Sequence, residues 1–176
     1  MIMDKIGGYI GQNVINSYSM YLPNEKGLCA MAINPGMYSS NSYVWETPQR
    51  FFDQLNEEFE FDLDVCAIPE NAKCATFFSP EVDGLVQEWI GNCWMNPPYG
   101  RTINRWVEKA YVSSLNGALV VCLLPARTDT QWWHNFCAKA DPKKDIRFVK
   151  GRLRFGGSKK DAPFPSVVVI FRPPSI

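Results

Sequence analysis

The sequence has no surplus of charge: 18 Lys and Arg stand against 18 Asp and Glu. That excludes a uniformly basic nucleic-acid scaffold, although a neutral total leaves room for a local basic face. It has one histidine, His134, and none of its six cysteines (Cys29, Cys66, Cys74, Cys93, Cys122 and Cys137) belongs to a Cys-x-x-Cys pair. With no zinc-ligand spacing, no metal site is expected. Cysteines so widely spaced read as reduced, mostly buried thiols of a cytoplasmic protein. No apolar run approaches membrane-spanning length; the longest, Ala118 to Leu124, suits a buried strand. Asp4 and Lys5 are followed by no long apolar core, so no signal peptide is expected. A glycine-rich phosphate-binding loop is missing too.

What is present fits one soluble domain. The chain has 176 residues, of which 46% are hydrophobic and 14% aromatic, enough for a sheet with flanking helices. It is too short for a large separate recognition domain. Residues 1–41, rich in Gly, Asn, Ser, Tyr and Met, show poor periodicity and read as an irregular or partly ordered extension, with a short hairpin near Leu28 to Ile33. Residues 42–176 form the principal domain.

The pattern along that domain alternates. Thr47 is expected to cap a helix with Pro48 in its first position, and Phe51, Phe52, Leu55 and Phe59 mark the buried face. Phe61 to Ala67 reads as a strand, as do Ala75 to Phe78 and Asn92 to Met95. Glu81 to Trp89 resembles a short helix. A helix capped by Thr102 or Asn104 runs to about Ser114, with Gly117 beyond its end. Ala118 to Leu124 is a strand covered on both faces, stopped by Pro125. Thr130 to Ala140 reads as helical, and Ile146 to Val149 and Val167 to Phe171 as two last strands. The expected class is α/β, a compact Rossmann-like mixed sheet with helices on both faces.

The sharpest chemical signal is Asn96-Pro97-Pro98-Tyr99, placed directly after the apolar run Cys93 to Met95. A planar exocyclic NH2 on a base is a poor nucleophile because its lone pair is delocalised. Two acceptors aimed at its hydrogens favour a tetrahedral nitrogen; the Asn96 side-chain oxygen and the Pro97 carbonyl are suited to that. Tyr99 is expected to stack on a flipped base. The same four residues also make an ordinary strand-ending turn, but a transfer site belongs at the carboxyl end of a strand in an open α/β sheet. Asp64, near the end of its strand, would reach a cationic amine, and small Cys66 and Ala67 let a ligand approach the backbone. Trp45, Thr47 and Pro48 lead into a helix whose free N–H groups suit a carboxylate. Phe78 is placed to cover an adenine ring. Either Glu81 or Asp83 would take ribose hydroxyls. Arg101 and Arg127 border the same edge, and Arg152, Arg154, Lys159 and Lys160 lie in a mobile basic loop suited to DNA backbone contact. Trp132 and Trp133 read as packing residues.

From Ser42 to Pro173 the chain resembles the short phage-type DNA N6-adenine methyltransferases, the phage Dam family. The resemblance rests on segments in order: WETP from Trp45, FDLDVCA from Phe61, DGL from Asp83, NPPYG from Asn96, LLPARTDTQWWH from Leu123, GRLRF from Gly151 and FPS from Phe164. It implies a class I S-adenosylmethionine-dependent sheet in residues 42–176. It also implies a catalytic role for Asn96, Pro97, Pro98 and Tyr99, and cofactor contacts from Thr47, Pro48, Asp64, Cys66 and Ala67. The expected reaction is transfer of a methyl group from S-adenosyl-L-methionine to adenine N6 in double-stranded DNA, by a protein that works as a monomer. Val65 stands where relatives often have Pro, and residues before Ser42 match nothing in the family. A planar NH2 is shared by RNA adenine, cytosine N4 and a protein glutamine, so the motif alone leaves those substrates open, as it does an inactive DNA- or protein-binding relative.

Overall fold

The computed structural model describes residues 45–156 and 158–175; the expected N-terminal extension and its hairpin lie outside the described residues. In chain order the elements are α1 (Gln49–Phe59), β1 (Leu63–Asp64), β2 (Thr76–Phe77), β3 (Asn92–Met95), α2 (Ile103–Leu115), β4 (Leu119–Pro125), α3 (Gln131–Asn135), a 3-10 turn (Cys137–Lys139), β5 (Ile146–Phe148) and β6 (Ser166–Phe171). They build a six-stranded sheet of order β2-β1-β3-β4-β6-β5. Strands β1 to β4 pair in parallel; β6 is antiparallel to both β4 and β5. Five strands therefore run one way and only β6 is reversed.

Strand periodicity divides the core. Cys93, Met95, Val120, Cys122, Leu124, Val167, Val169 and Phe171 face one side, where α2 supplies Trp106, Val107 and Ala110, and α3 supplies Trp132 and Trp133. The intervening residues Trp94, Val121, Leu123, Val168 and Ile170 face the other side, where α1 supplies Phe52, Leu55 and Phe59. Helices thus cover both faces, which is why β4 and β6 are apolar without alternation. Each such fully buried side chain contributes about 1.5–3 kcal/mol.

Several expected elements differ in detail. The strand expected over Phe61 to Ala67 is regular only at Leu63–Asp64, although bonds from Asp62 N–H to Asn92 O (2.8 Å) and Val65 N–H to Trp94 O (3.0 Å) extend its pairing with β3. Pro48, not Thr47, occupies the cap of α1, and no side chain caps it, because the Thr47 hydroxyl is engaged elsewhere. Glu81 to Trp89 forms turns rather than a helix. Asp83 takes φ +49° and its carboxylate accepts from Leu85 N–H at 3.1 Å, while the Trp89 indole donates to Gly84 O at 2.8 Å. Local side-chain bonds of this kind compete with a helix. The Thr130 to Ala140 helix is broken at Phe136 (φ −128°, ψ −60°), whose ring packs on Tyr111 with centroids 5.7 Å apart.

The basic segment before β6 is anchored rather than a free loop. Phe155 and Ala162 are buried in the α1-side core, and Ala162 N–H donates to Leu153 O at 2.9 Å. Phe155 and Phe164 pack on Trp45 with centroids 5.3 and 5.1 Å away, and Gly156 N–H donates to Glu46 O at 2.8 Å. Its charged side chains still face solvent.

Candidate active site

The chain leaves β1 toward β2 on one side and β3 toward β4 on the other, so the strand order reverses between β1 and β3. Open α/β sheets bind ligands in the crevice outside such a reversal, at the carboxyl ends of the strands. A cleft opens there. It is lined by Trp45, Glu46 and Thr47 before α1, by Asp64, Cys66, Ala67, Ile68, Asn71 and Lys73 after β1, and by Trp94, Asn96, Pro97 and Pro98 around the end of β3. Its cavity volume is about 90 Å³, so it is a shallow cleft, smaller than the enclosed pockets that usually bury a small molecule.

Asn96 is the best-defined polar group in the cleft. Its amide nitrogen donates to the Trp45 carbonyl and to Thr47 Oγ1, the latter at 2.9 Å. A backbone carbonyl can only accept, so the nitrogen must face it and the amide orientation is determined. Its Oδ1 is buried and has no hydrogen-bond partner among the described residues. Leaving such an acceptor unpaired costs about 1–3 kcal/mol, and a ligand NH2 group would satisfy it. Pro97 follows, buried, and no donor among the described residues reaches its carbonyl.

Asp64 is also buried. Its two oxygens accept from the backbone N–H of Cys66 (3.3 Å) and Lys73 (3.1 Å). Burial outweighs those bonds and pushes its pKa from 3.8 up to about 6. Burial also holds the Cys66 thiol well above the ordinary range, so it is a neutral thiol and not a nucleophile.

The remaining expected residues are placed as follows. Trp45, Thr47, Asp64, Cys66, Ala67, Asn96, Pro97 and Pro98 converge on the cleft, and Pro48 sits beside it as the α1 cap. Tyr99 does not line the cleft. Its hydroxyl donates to Leu123 O at 3.0 Å and its ring meets Phe164 and Phe155 edge-on, at 5.5 and 6.3 Å. Phe78 is not in the lining either, although its backbone pairs with Asp64 O (2.9 Å) and Ala67 N–H (3.1 Å). Glu81 is exposed, and Asp83 spends an oxygen on Leu85. Arg101, Arg127 and Arg152 are exposed after the carboxyl ends of β3, β4 and β5, so topology brings them to the edge that carries the cleft. Lys159 and Lys160 are exposed; Arg154 is paired with Asp161 at 3.1 Å. Lys73, Asn71 and Ile68 were not anticipated: they lie in an irregular turn with no periodicity or motif to mark them.

A mixed α/β sheet with a crevice at its switch point, a buried carboxylate ending the first strand and, among the described residues, an unpaired amide acceptor after the third marks a candidate small-molecule site. Comparison with known proteins specifies it. The DNA N-6-adenine-methyltransferase (Dam) family model matches residues 37–175, so the match begins ahead of Ser42, where the resemblance was expected to start. The DNA N-6-adenine-methyltransferase of Haemophilus phage HP1 (strain HP1c1) is 31% identical over 142 residues, covering 76% of this chain and 81% of the relative. The putative methyltransferase YfdM of Escherichia coli (strain K12) is 35% identical over 63 residues, covering 31% of this chain and 69% of the relative. The chain belongs to the DNA N-6-adenine-methyltransferase (Dam) family and is an adenine-specific DNA methyltransferase. No helix of the described residues is long and apolar enough to cross a membrane.

Proposed function

We propose that the chain transfers a methyl group from S-adenosyl-L-methionine to the N6 amine of an adenine rotated out of double-stranded DNA at a specific site, and that its sheet is the class I methyltransferase sheet. The order β2-β1-β3-β4-β6-β5 with one reversed strand near the edge supports the fold reading. The observation that carries the chemical reading is the buried Asn96 Oδ1, which has no partner among the described residues and is followed in the chain by a Pro97 carbonyl that none of them reaches.

The bound cofactor supplies an electrophilic methyl on a sulfonium. Asp64, Cys66, Ala67, Trp45, Thr47 and Pro48 would hold its amino-acid end, and Glu81 or Asp83, which follow β2, would take its ribose hydroxyls. Asn96 and Pro97 accept from the two N6 hydrogens, localising the lone pair and aligning it for in-line attack; orientation and fixed dipoles do most of the work. Pro98 and Tyr99 complete the turn. Tyr99, tied to Leu123, braces that turn from behind. The protonated Cys66 thiol favours direct transfer over a covalent enzyme intermediate. Arg101, Arg127, Arg152, Arg154, Lys159 and Lys160 contact the DNA backbone along the carboxyl edge.

The test is methyl transfer from labelled S-adenosylmethionine to unmethylated duplex DNA, followed by nucleoside analysis. The expected product is N6-methyladenine, lost in Asn96→Ala. Label on cytosine, RNA or protein instead, or undiminished transfer by Asn96→Ala, overturns the reading.

A further inference from the structure

Lys73 is a cleft residue to which no motif gives a role. Its side chain is only 7% exposed, although lysine is seldom buried unless paired. The ammonium donates to Gln49 Oε1 at 3.0 Å. Its carboxylate neighbour, Glu46 Oε1, stands 3.9 Å away, beyond hydrogen-bond reach, on a side chain that is 45% exposed. Among the described residues the ammonium therefore makes one hydrogen bond, to a neutral acceptor, and one long ion pair. Asp64 has the opposite deficit. It is 3% exposed, accepts two backbone N–H bonds, and makes no ion pair with any described side chain. The two residues are coupled, because the Lys73 N–H is one of the donors to Asp64. Among the described residues the cleft thus holds an anion with no direct ion pair and a cation whose one ion pair is long and reaches a half-exposed partner, both on one short segment of chain.

We propose that Lys73 and Asp64 form a clamp for a zwitterionic amino-acid tail, Lys73 taking the carboxylate and Asp64 the ammonium, so that Lys73 determines specificity for a cofactor with an intact carboxylate. This inference rests on the cofactor reading above. In a water-poor cleft each charge is worth more to an oppositely charged ligand group than it would be on the surface, and a ligand bearing only one of the two groups leaves the other deficit in place. A purely structural Lys73 would instead serve only to hold Gln49 at the start of α1.

The test is calorimetric binding of two ligands, S-adenosylhomocysteine and its decarboxylated counterpart, to the full chain and to Lys73→Met, with Lys73→Arg as the conservative variant and thermal melting as the folding control. Lys73→Met is expected to weaken S-adenosylhomocysteine by about 10- to 100-fold, the usual worth of a hydrogen bond to a charged group, and to leave the decarboxylated ligand within about threefold. Lys73→Arg should restore part of the preference. Equal weakening of both ligands, or of neither, overturns the clamp. Failure of the unaltered chain to bind S-adenosylhomocysteine at all overturns the cofactor reading, and the clamp with it.

Discussion

The amide nitrogen of Asn96 donates to Thr47 Oγ1 at 2.9 Å and to the Trp45 carbonyl, so the segment before the first helix determines which atom of the Asn96 side chain faces the cleft. The sequence pattern marks the same threonine as a helix cap, but its hydroxyl bonds across 49 residues of chain instead. The Trp45 carbonyl, the second acceptor on the same nitrogen, holds the amide from the same segment.

Asn96→Ala removes the acceptor and is expected to lower turnover by about 10²- to 10³-fold, with S-adenosylhomocysteine affinity nearly unchanged. Thr47→Val removes one of the two bonds that hold the amide, so turnover should fall about five- to tenfold, and Thr47→Ser should recover most of it. Steady-state kinetics alongside calorimetric binding checks both. A Thr47→Val enzyme with normal turnover would show that the Trp45 carbonyl suffices.

Burial makes Asp64 a cost to the fold. Its folded pKa, about 6, lies above the ordinary 3.8. The penalty is absent below pH 3.8, grows as pH rises, and is complete above about 6, where it amounts to at most about 3 kcal/mol. Asp64→Asn should therefore melt at a higher temperature than the unaltered protein at pH 7.5, and the gain should vanish near pH 4. The amide introduced by this substitution would face the Lys73 N–H with either an oxygen or a nitrogen, so part of the gain disappears if that bond breaks. Melting curves across pH 4–8 read this directly.

If Asp64 takes a ligand ammonium, it must be ionised to do so. Below pH 6 binding has to expel a proton, and affinity for S-adenosylhomocysteine should fall about tenfold per pH unit, levelling above pH 6. Calorimetry in buffers of different ionisation enthalpy would register the proton released. Asp64→Asn should flatten the profile and weaken binding at pH 7.5. A flat profile in the unaltered protein would separate Asp64 from the ammonium.

Long, periodic elements were legible in the sequence. Phe52, Leu55 and Phe59 announced α1; Trp106, Val107 and Ala110 announced α2; β3 and β4 fell where their apolar runs did. The cleft lining was legible where a residue sits in a motif or at a strand end, as Asn96 and Asp64 do. It was opaque where long-range packing decides. Tyr99 is drawn from the cleft by Phe155 and Phe164, which lie far along the chain in the segment before β6. Lys73 reaches the cleft through a turn whose sequence has no period. The basic segment reads as mobile because glycine and lysine dominate it, yet two aromatic rings anchor it beside Trp45.

That anchoring makes the segment's charges a fixed surface. Arg152, Lys159 and Lys160 are exposed, whereas Arg154 is already paired with Asp161. Replacing Arg152, Lys159 or Lys160 singly with Ala should weaken DNA binding and reduce the slope of log affinity against log salt by about one for each phosphate no longer neutralised. Arg154→Ala should change the slope less, because its charge is partly neutralised in the free protein. Fluorescence anisotropy on a duplex at several salt concentrations separates the two cases, and S-adenosylhomocysteine affinity should not move in any of them.

Gly84 packs the turns before β3 against the chain that leaves β1. A Cβ placed on it would lie 2.1 Å from the Val65 carbonyl oxygen and 3.3 Å from the Trp106 ring. The first of these neighbours is backbone, which cannot swing aside as a flexible side chain can. Val65 follows Asp64 directly and pairs with Trp94 of β3, so any displacement is passed to the strand end that carries the buried carboxylate. If Gly84 were merely a flexible turn residue, Gly84→Ala would stabilise the protein by about 0.4–1 kcal/mol through a less disordered unfolded chain. The close approach reverses that sign: a destabilisation of about 2–4 kcal/mol is expected. Affinity for S-adenosylhomocysteine should fall in the molecules that remain folded. Urea melts give the first quantity and calorimetry below the melting transition the second; a stabilised Gly84→Ala protein would mean that the turn can withdraw from Val65 without cost.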